Sequence, residues 1–141
     1  MKEYKEIQVA LLGLGTVGLG VYKVLQMQKE EMQHKIGTEI KIKKILVRNL
    51  EKAAGKIEDA SVLTDSWQEI VNDDEIQIVI EVMGGMEPAR TYIMEAMQAG
   101  KQVVTANKDL IAADGKELMD QAKKSGCYLL FEAAVAGAIP I

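Results

Sequence analysis

Apolar residues along this chain come in short runs separated by stretches of helical period. "EIQVALL" (6–12) reads as a strand. Behind a glycine-rich turn, Val17, Val21, Val24, Leu25 and Met32 recur near the 3.6-residue period, which predicts an amphipathic helix over 16–35. "EIKIKKILV" (39–47) opens in strict alternation and predicts a second strand, and "SVLT" (61–64) a short third. Asp65 or Ser66 is placed to cap a brief helix in "WQEIVND". "IQIVIEV" (76–82) is continuously apolar, as expected of a strand covered on both faces. Pro88 then opens a helix that runs to Ala99 and stops at Gly100. "QVVTA" (102–106) gives a fifth strand, 114–125 a helix closed by Gly126, and "CYLLFEA" (127–133) a sixth strand.

Strands alternating with helices imply parallel βαβ units. The expected fold is α/β: a Rossmann-type doubly wound parallel sheet of six strands in the order 3-2-1-4-5-6, with helices on both faces. The 141 residues, 48% of them hydrophobic, suffice for one domain spanning 1–141.

Composition narrows the function classes. The formal net charge of −4 is not that of a nucleic-acid-binding surface. No apolar run approaches the length that spans a bilayer, and "MKEYKE" is not a signal peptide. The single cysteine, Cys127 in "CYLLF", reads as a small apolar residue, and a reducing, cytoplasmic setting is expected. The sole histidine, His34, lies in the polar "KEEMQHK" and is not read as a ligand or catalyst.

The turn between the first strand and first helix is "GLGTVG", with Gly13, Gly15 and Gly18 as G-x-G-x-x-G. Alone this spacing says little; between a strand and a helix it points to dinucleotide binding. Gly13 suits the tight turn, Gly15 the approach of a pyrophosphate, and Gly18 close packing of helix on sheet. The second strand ends "ILVRN", without the carboxylate that commonly meets a ribose in NAD-binding domains. Arg48 offers instead a fork of donors suited to a 2′-phosphate, favouring NADP over NAD, or it is an ordinary surface arginine.

Three later segments fall at carboxyl ends of strands, where such sheets bind ligands. In "EVMGG", Gly84 and Gly85 follow Glu81 and either let backbone crowd a flat ring or make a plain turn. In "TANKDLIA", Thr105 or Asn107 caps a short helix with Lys108 in its first turn, where the helix dipole disfavours a cation. Lys108 is then a charge aimed at a carboxylate, phosphate or reacting oxygen, or a solvated lysine. In "FEAAVAGAIPI", Glu132 sits among apolar and small residues, so a buried carboxylate with a backbone, cationic or amine partner is expected there. The "AVAGA" carbonyls are able to converge on a hard cation.

"GLGTVG", "VRN", "EVMGG", "TANKDLIA" and "FEAAVAGAIPI", in this order across the whole chain, resemble successive signatures of the homoserine dehydrogenase family. The resemblance implies reversible, NAD(P)-dependent interconversion of L-homoserine and L-aspartate 4-semialdehyde, on the route to threonine, methionine and isoleucine. It implies a phosphate loop of Gly13, Leu14, Gly15, Thr16, Val17 and Gly18, with Arg48 at the adenosine ribose or its phosphate. Gly84, Gly85 and Thr105 would lie near the nicotinamide, and Lys108 at the reaction centre, in cofactor contact and in substrate or proton-transfer work. Glu132, Val135, Gly137 and Ile139 match positions that hold a monovalent cation, usually sodium. Family members continue past "AGAIPI" into a substrate and dimerisation domain, so this chain is expected to be the nucleotide-binding half of a homo-oligomeric enzyme. It would bind dinucleotide and turn over little alone. The rival expectations are a non-catalytic NAD(H)-sensing domain and the cofactor domain of another small-aldehyde or amino-acid dehydrogenase.

Overall fold

The computed structural model describes residues 5–132, the side chains of residues 5, 29–36 and 38 excepted. Met32 and His34 of the first helix therefore fall outside the described side chains. Six parallel strands form one sheet: β1 (Lys5–Leu12), β2 (Thr38–Leu46), β3 (Leu63–Thr64), β4 (Ile76–Glu81), β5 (Gln102–Thr105) and β6 (Leu129–Phe131). Their order is β3-β2-β1-β4-β5-β6, as the alternation of strands and helices predicts.

Side chains alternate across the sheet, and each face is covered by its own helices. Leu11 and Ile45 point to a core closed by Val21 of α1 (Thr16–Ile36) and Ala53 of α2 (Leu50–Ala54). Ala10, Leu12, Leu46, Val79 and Val103 point the other way. There they meet Ile70 of α3 (Gln68–Val71), Ile93 and Met97 of α4 (Ala89–Gln98), and Leu110 and Leu118 of α5 (Lys108–Ser125). Trp67 stacks on Tyr92 at 4.4 Å between centroids and donates through Nε1 to Glu95, tying α3 to α4.

The helix ends explain where the sequence reading was right and where it was not. Gly100 (φ +83) and Gly126 (φ +69) follow α4 and α5 in the left-handed conformation expected of terminating glycines. Neither Asp65 nor Ser66 caps α3: Trp67 holds the cap position without a side-chain bond, while Thr64 Oγ1 accepts from the Ser66 amide. The two helices expected after β5 are present and meet at a kink at Asp114, whose dihedrals are non-helical (φ −127, ψ 16); together they are labelled α5, Lys108–Ser125. α2 was not foreseen. Asn49 caps it by accepting from the Lys52 amide, and only Ala53 among its five residues is buried, too little to show a period.

The register fixes where function can sit. Thr64, Leu46, Leu12, Glu81, Thr105 and Phe131 are successive partners along a single row across the sheet. Each is the last residue of its strand, so every segment singled out from the sequence leaves the sheet at the same edge.

Candidate functional site: a cleft at the carboxyl edge of the sheet

At the centre of that edge the chain leaves β1 at Gly13 (φ +105), whose amide donates to Leu46 O at 2.9 Å. A Cβ at Gly18 would lie 2.3 Å from the Gly13 carbonyl oxygen, so only glycine lets α1 start this close to the strand. A Cβ at Gly15 would meet nothing within 4 Å, and Gly15 and Thr16 are exposed. The first amides of a helix lack intrahelical acceptors. Gly15, just before α1, has no side chain to satisfy them, and the first turn of α1 carries no acidic residue. The electropositive end of α1 thus opens outward unneutralised.

Beside this turn lies a cleft of about 680 Å³. Gly13 and Leu14 form one wall, Val47, Arg48 and Asn49 another, and Met83, Pro88 and Tyr92 a third. Lys52, Lys56 and Asp65 also line it, giving three cations against one carboxylate in a chain whose formal charge is −4. Lys56 Nζ donates to Leu14 O at 3.1 Å and so clamps the end of α2 to the glycine turn. Sequence reasoning passed over Lys52 and Lys56, because neither belongs to a visible period or motif. A volume of this size suits an extended organic ligand, and its basic wall suits an anionic one.

Past Met83, the ends of β4 and β5 are joined by a buried polar ring. Glu81 and Thr105 are both 0% exposed. Glu81 Oε2 accepts from the Met83 amide (3.0 Å) and the Gly84 amide (3.1 Å). Glu81 Oε1 accepts from the Thr105 hydroxyl at 2.5 Å. Asn107, also buried, donates its amide to Thr105 Oγ1 and its Nδ2 to Gly85 O at 2.6 Å. Its Oδ1 accepts from the Leu110 amide, so Asn107 rather than Thr105 caps α5. Gly84 (φ +78) and Gly85 (φ +75) need the left-handed region here and are exposed, with open space where a Cβ would stand. Lys108 begins α5 and is exposed.

The structure thus gathers Gly13, Leu14 and Arg48 in one cleft, and Gly84, Gly85, Thr105 and Lys108 beyond Met83. Thr105 presents its hydroxyl to Glu81 and not to solvent. Glu132 departs from expectation. It is exposed rather than buried: it follows the edge strand β6, where its backbone N–H donates a hydrogen bond to Thr105 O at 2.9 Å. Val135, Gly137 and Ile139 lie outside the described residues, which contain no group of three or more His, Cys, Asp or Glu able to hold a metal ion. No helix among the described residues is long and apolar enough to cross a membrane.

Comparison with known proteins meets this geometry. The model of the family "Homoserine dehydrogenase, NAD binding domain" matches residues 13–132, from the first glycine of the turn to the residue after β6. The chain belongs to this family. It is similar to a homoserine dehydrogenase of Bacillus subtilis, 47% identical over 137 residues, 97% of this chain and 32% of that protein. Among solved structures it resembles a homoserine dehydrogenase from Thiobacillus denitrificans, with a TM-score of 0.85 and 44% identity over 95% of this chain and 31% of that one. A hyperthermophilic archaeal homoserine dehydrogenase solved in complex with NADPH superposes with a TM-score of 0.73 at 25% identity, over 92% of this chain and 44% of that one. The chain spans about a third of the length of the curated homoserine dehydrogenases it matches. The role that the family's description gives for this domain is NAD binding.

Proposed function

We propose that this domain binds NADP(H) in the cleft beside Gly13 and serves the reversible interconversion of L-homoserine and L-aspartate 4-semialdehyde in a longer, cytoplasmic, homo-oligomeric protein. The observation that carries the reading is that one cleft brings together the glycine turn leading into α1 and a basic wall of Arg48, Lys52 and Lys56. Gly13 to Gly18 receive the pyrophosphate on the first amides of α1. Arg48, exposed at the end of β2 and flanked by Lys52 and Lys56, receives the adenosine 2′-phosphate. A 2′-phosphate adds charge that the single carboxylate, Asp65, does not offset.

Gly84 and Gly85 expose backbone against which the nicotinamide ring lies, over the buried pair of Glu81 and Thr105. When bound, the dinucleotide supplies or accepts a hydride. Lys108 is the group for the substrate: an exposed ammonium at the start of α5 able to hold the reacting oxygen or pass it a proton. Glu132, with Val135, Gly137 and Ile139, is assigned to a monovalent cation of the sodium type. Its exposed carboxylate after β6 is compatible with that task.

The test is a fluorescence titration with NADPH and NADH. Arg48→Ala is expected to weaken NADPH by about tenfold or more while changing NADH little, the loss of a charge-assisted bond. Equal losses for both ligands would reject the phosphate role.

A further inference from the structure

We infer that Glu81 is a positioning residue that locks the loops after β4 and β5 into one unit and so sets the distance between Gly84–Gly85 and Lys108. This deepens the reading above and rests on it, since it takes that unit to be the nicotinamide end of the site. Glu81 is completely buried, and no ion pair with it is found among the described residues. A buried carboxylate in that situation is tolerated only when donors satisfy it. An apolar side chain of similar volume would fill the space without that penalty, so packing alone does not call for Glu at this place.

What the carboxylate does is bind both loops. Oε2 takes the two amides of Met83 and Gly84, and Oε1 the hydroxyl of Thr105. Its main-chain oxygen accepts from the Ala106 amide at 3.2 Å. The ring closes through Asn107, which donates to Thr105 Oγ1 and to Gly85 O. Asn107 also caps α5, whose first residue is Lys108. Removing the carboxylate leaves the glycine loop and the start of α5 joined only through Asn107 Nδ2 on Gly85 O and the Ala106 amide on Glu81 O, which loosens their spacing. The cleft lined by Gly13, Arg48 and Lys56 touches this network only at Met83, through its amide.

The experiment compares NADPH with 2′-phospho-ADP-ribose, which lacks only the nicotinamide, binding to this chain. Wild type is expected to bind both, NADPH more tightly. Glu81→Gln keeps the volume and an oxygen for the amides but cannot accept from Thr105 through a second oxygen. It is expected to lower NADPH affinity about tenfold and leave 2′-phospho-ADP-ribose within about twofold. Should Glu81→Gln fail to fold, Thr105→Val should give the same split and Thr105→Ser, which keeps the hydroxyl, should abolish it. Parallel losses of both ligands, or none, overturn the inference, as does equal binding of the two ligands by wild type. Failure of wild type to bind 2′-phospho-ADP-ribose overturns instead the dinucleotide reading beneath it.

Discussion

The Cα of Gly18 faces the carbonyl oxygen of Gly13 so closely that a Cβ would stand 2.3 Å from that oxygen and 2.9 Å from its carbon. Both atoms are backbone, in a turn pinned by the Gly13 amide on Leu46 O, so neither yields easily. Gly18→Ala is therefore expected to destabilise the domain by about 1–3 kcal/mol, the usual range for overpacking, and to lower its melting midpoint by about 2–4 °C per kcal/mol. Thermal unfolding followed by circular dichroism checks this; an unchanged midpoint would mean that the turn is looser than described.

Gly15, two residues along the same motif, should behave in the opposite way. Its Cβ would project into open space, and its φ is not in the left-handed region. Gly15→Ala should leave the melting midpoint nearly unchanged. Dinucleotide affinity should fall about ten- to a hundredfold, because the methyl overlaps the approaching phosphates. Isothermal titration decides it. Retained affinity would show that this glycine is not at the ligand.

Lys56 and Arg48 line the same cleft but are expected to separate in function. Lys56 reaches Leu14 O, at the glycine turn, whereas Arg48 stands at the end of β2. Lys56→Met keeps the aliphatic stem and removes the clamp. NADH and NADPH should then weaken by the same factor, about three- to tenfold for one charge-assisted bond. A selective loss of NADPH would move the 2′-phosphate contact from Arg48 to Lys56.

At the opposite edge of the sheet, Lys43 Nζ contacts Asp73 at 2.7 Å and Glu75 at 2.6 Å. The hydrogen bond from Lys43 holds the Asp73 carboxyl below its ordinary value of 3.8, and the same partner raises Lys43 above 10.5. A depressed carboxylate stabilises the fold above its unfolded value, and that contribution fades as pH falls from about 4 through the lower folded value. Asp73→Asn keeps the acceptor for the Glu75 amide but loses the ion pair. Its stability should fall less steeply than that of wild type below about pH 4. The pair is solvent-accessible, so 0.5 M salt should narrow the difference. Parallel acid limbs in denaturant titrations would show that Asp73 does not titrate with folding.

Most of the fold was legible because its signals are local. The apolar run of β4 and the glycines at 13, 15 and 18 each carry their meaning within a few residues. α2 escaped because five residues with one buried side chain show no period. Glu132 was misjudged because apolar neighbours in sequence do not bury a residue that follows an edge strand. Asn107 was legible as a helix cap, but its tether to Gly85 and the contribution of Lys56 were hidden for a different reason: the partners, Gly85 and Leu14, lie far away in sequence. Glu81 stood out as the end of a strand, but its pairing with Thr105 follows only from the register of β4 against β5.

Lys108 and Asn107 are neighbours whose replacements should separate fold from chemistry. Asn107 caps α5 and tethers Gly85, so Asn107→Ala should cost about 1–2 kcal/mol, the upper range for a lost cap. Lys108 is exposed in the first turn of the same helix, where a cation opposes the dipole and Asp109 complements it. Lys108→Gln should thus leave stability unchanged or raise it by a few tenths of a kcal/mol. Chemical denaturation of the two variants measures both effects. A stabilising Lys108→Gln would mean that the lysine is not retained for the fold, as its assigned role at the substrate requires. A loss above about 1 kcal/mol, the upper end of the dipole effect, would make Lys108 structural and remove it from the reaction centre.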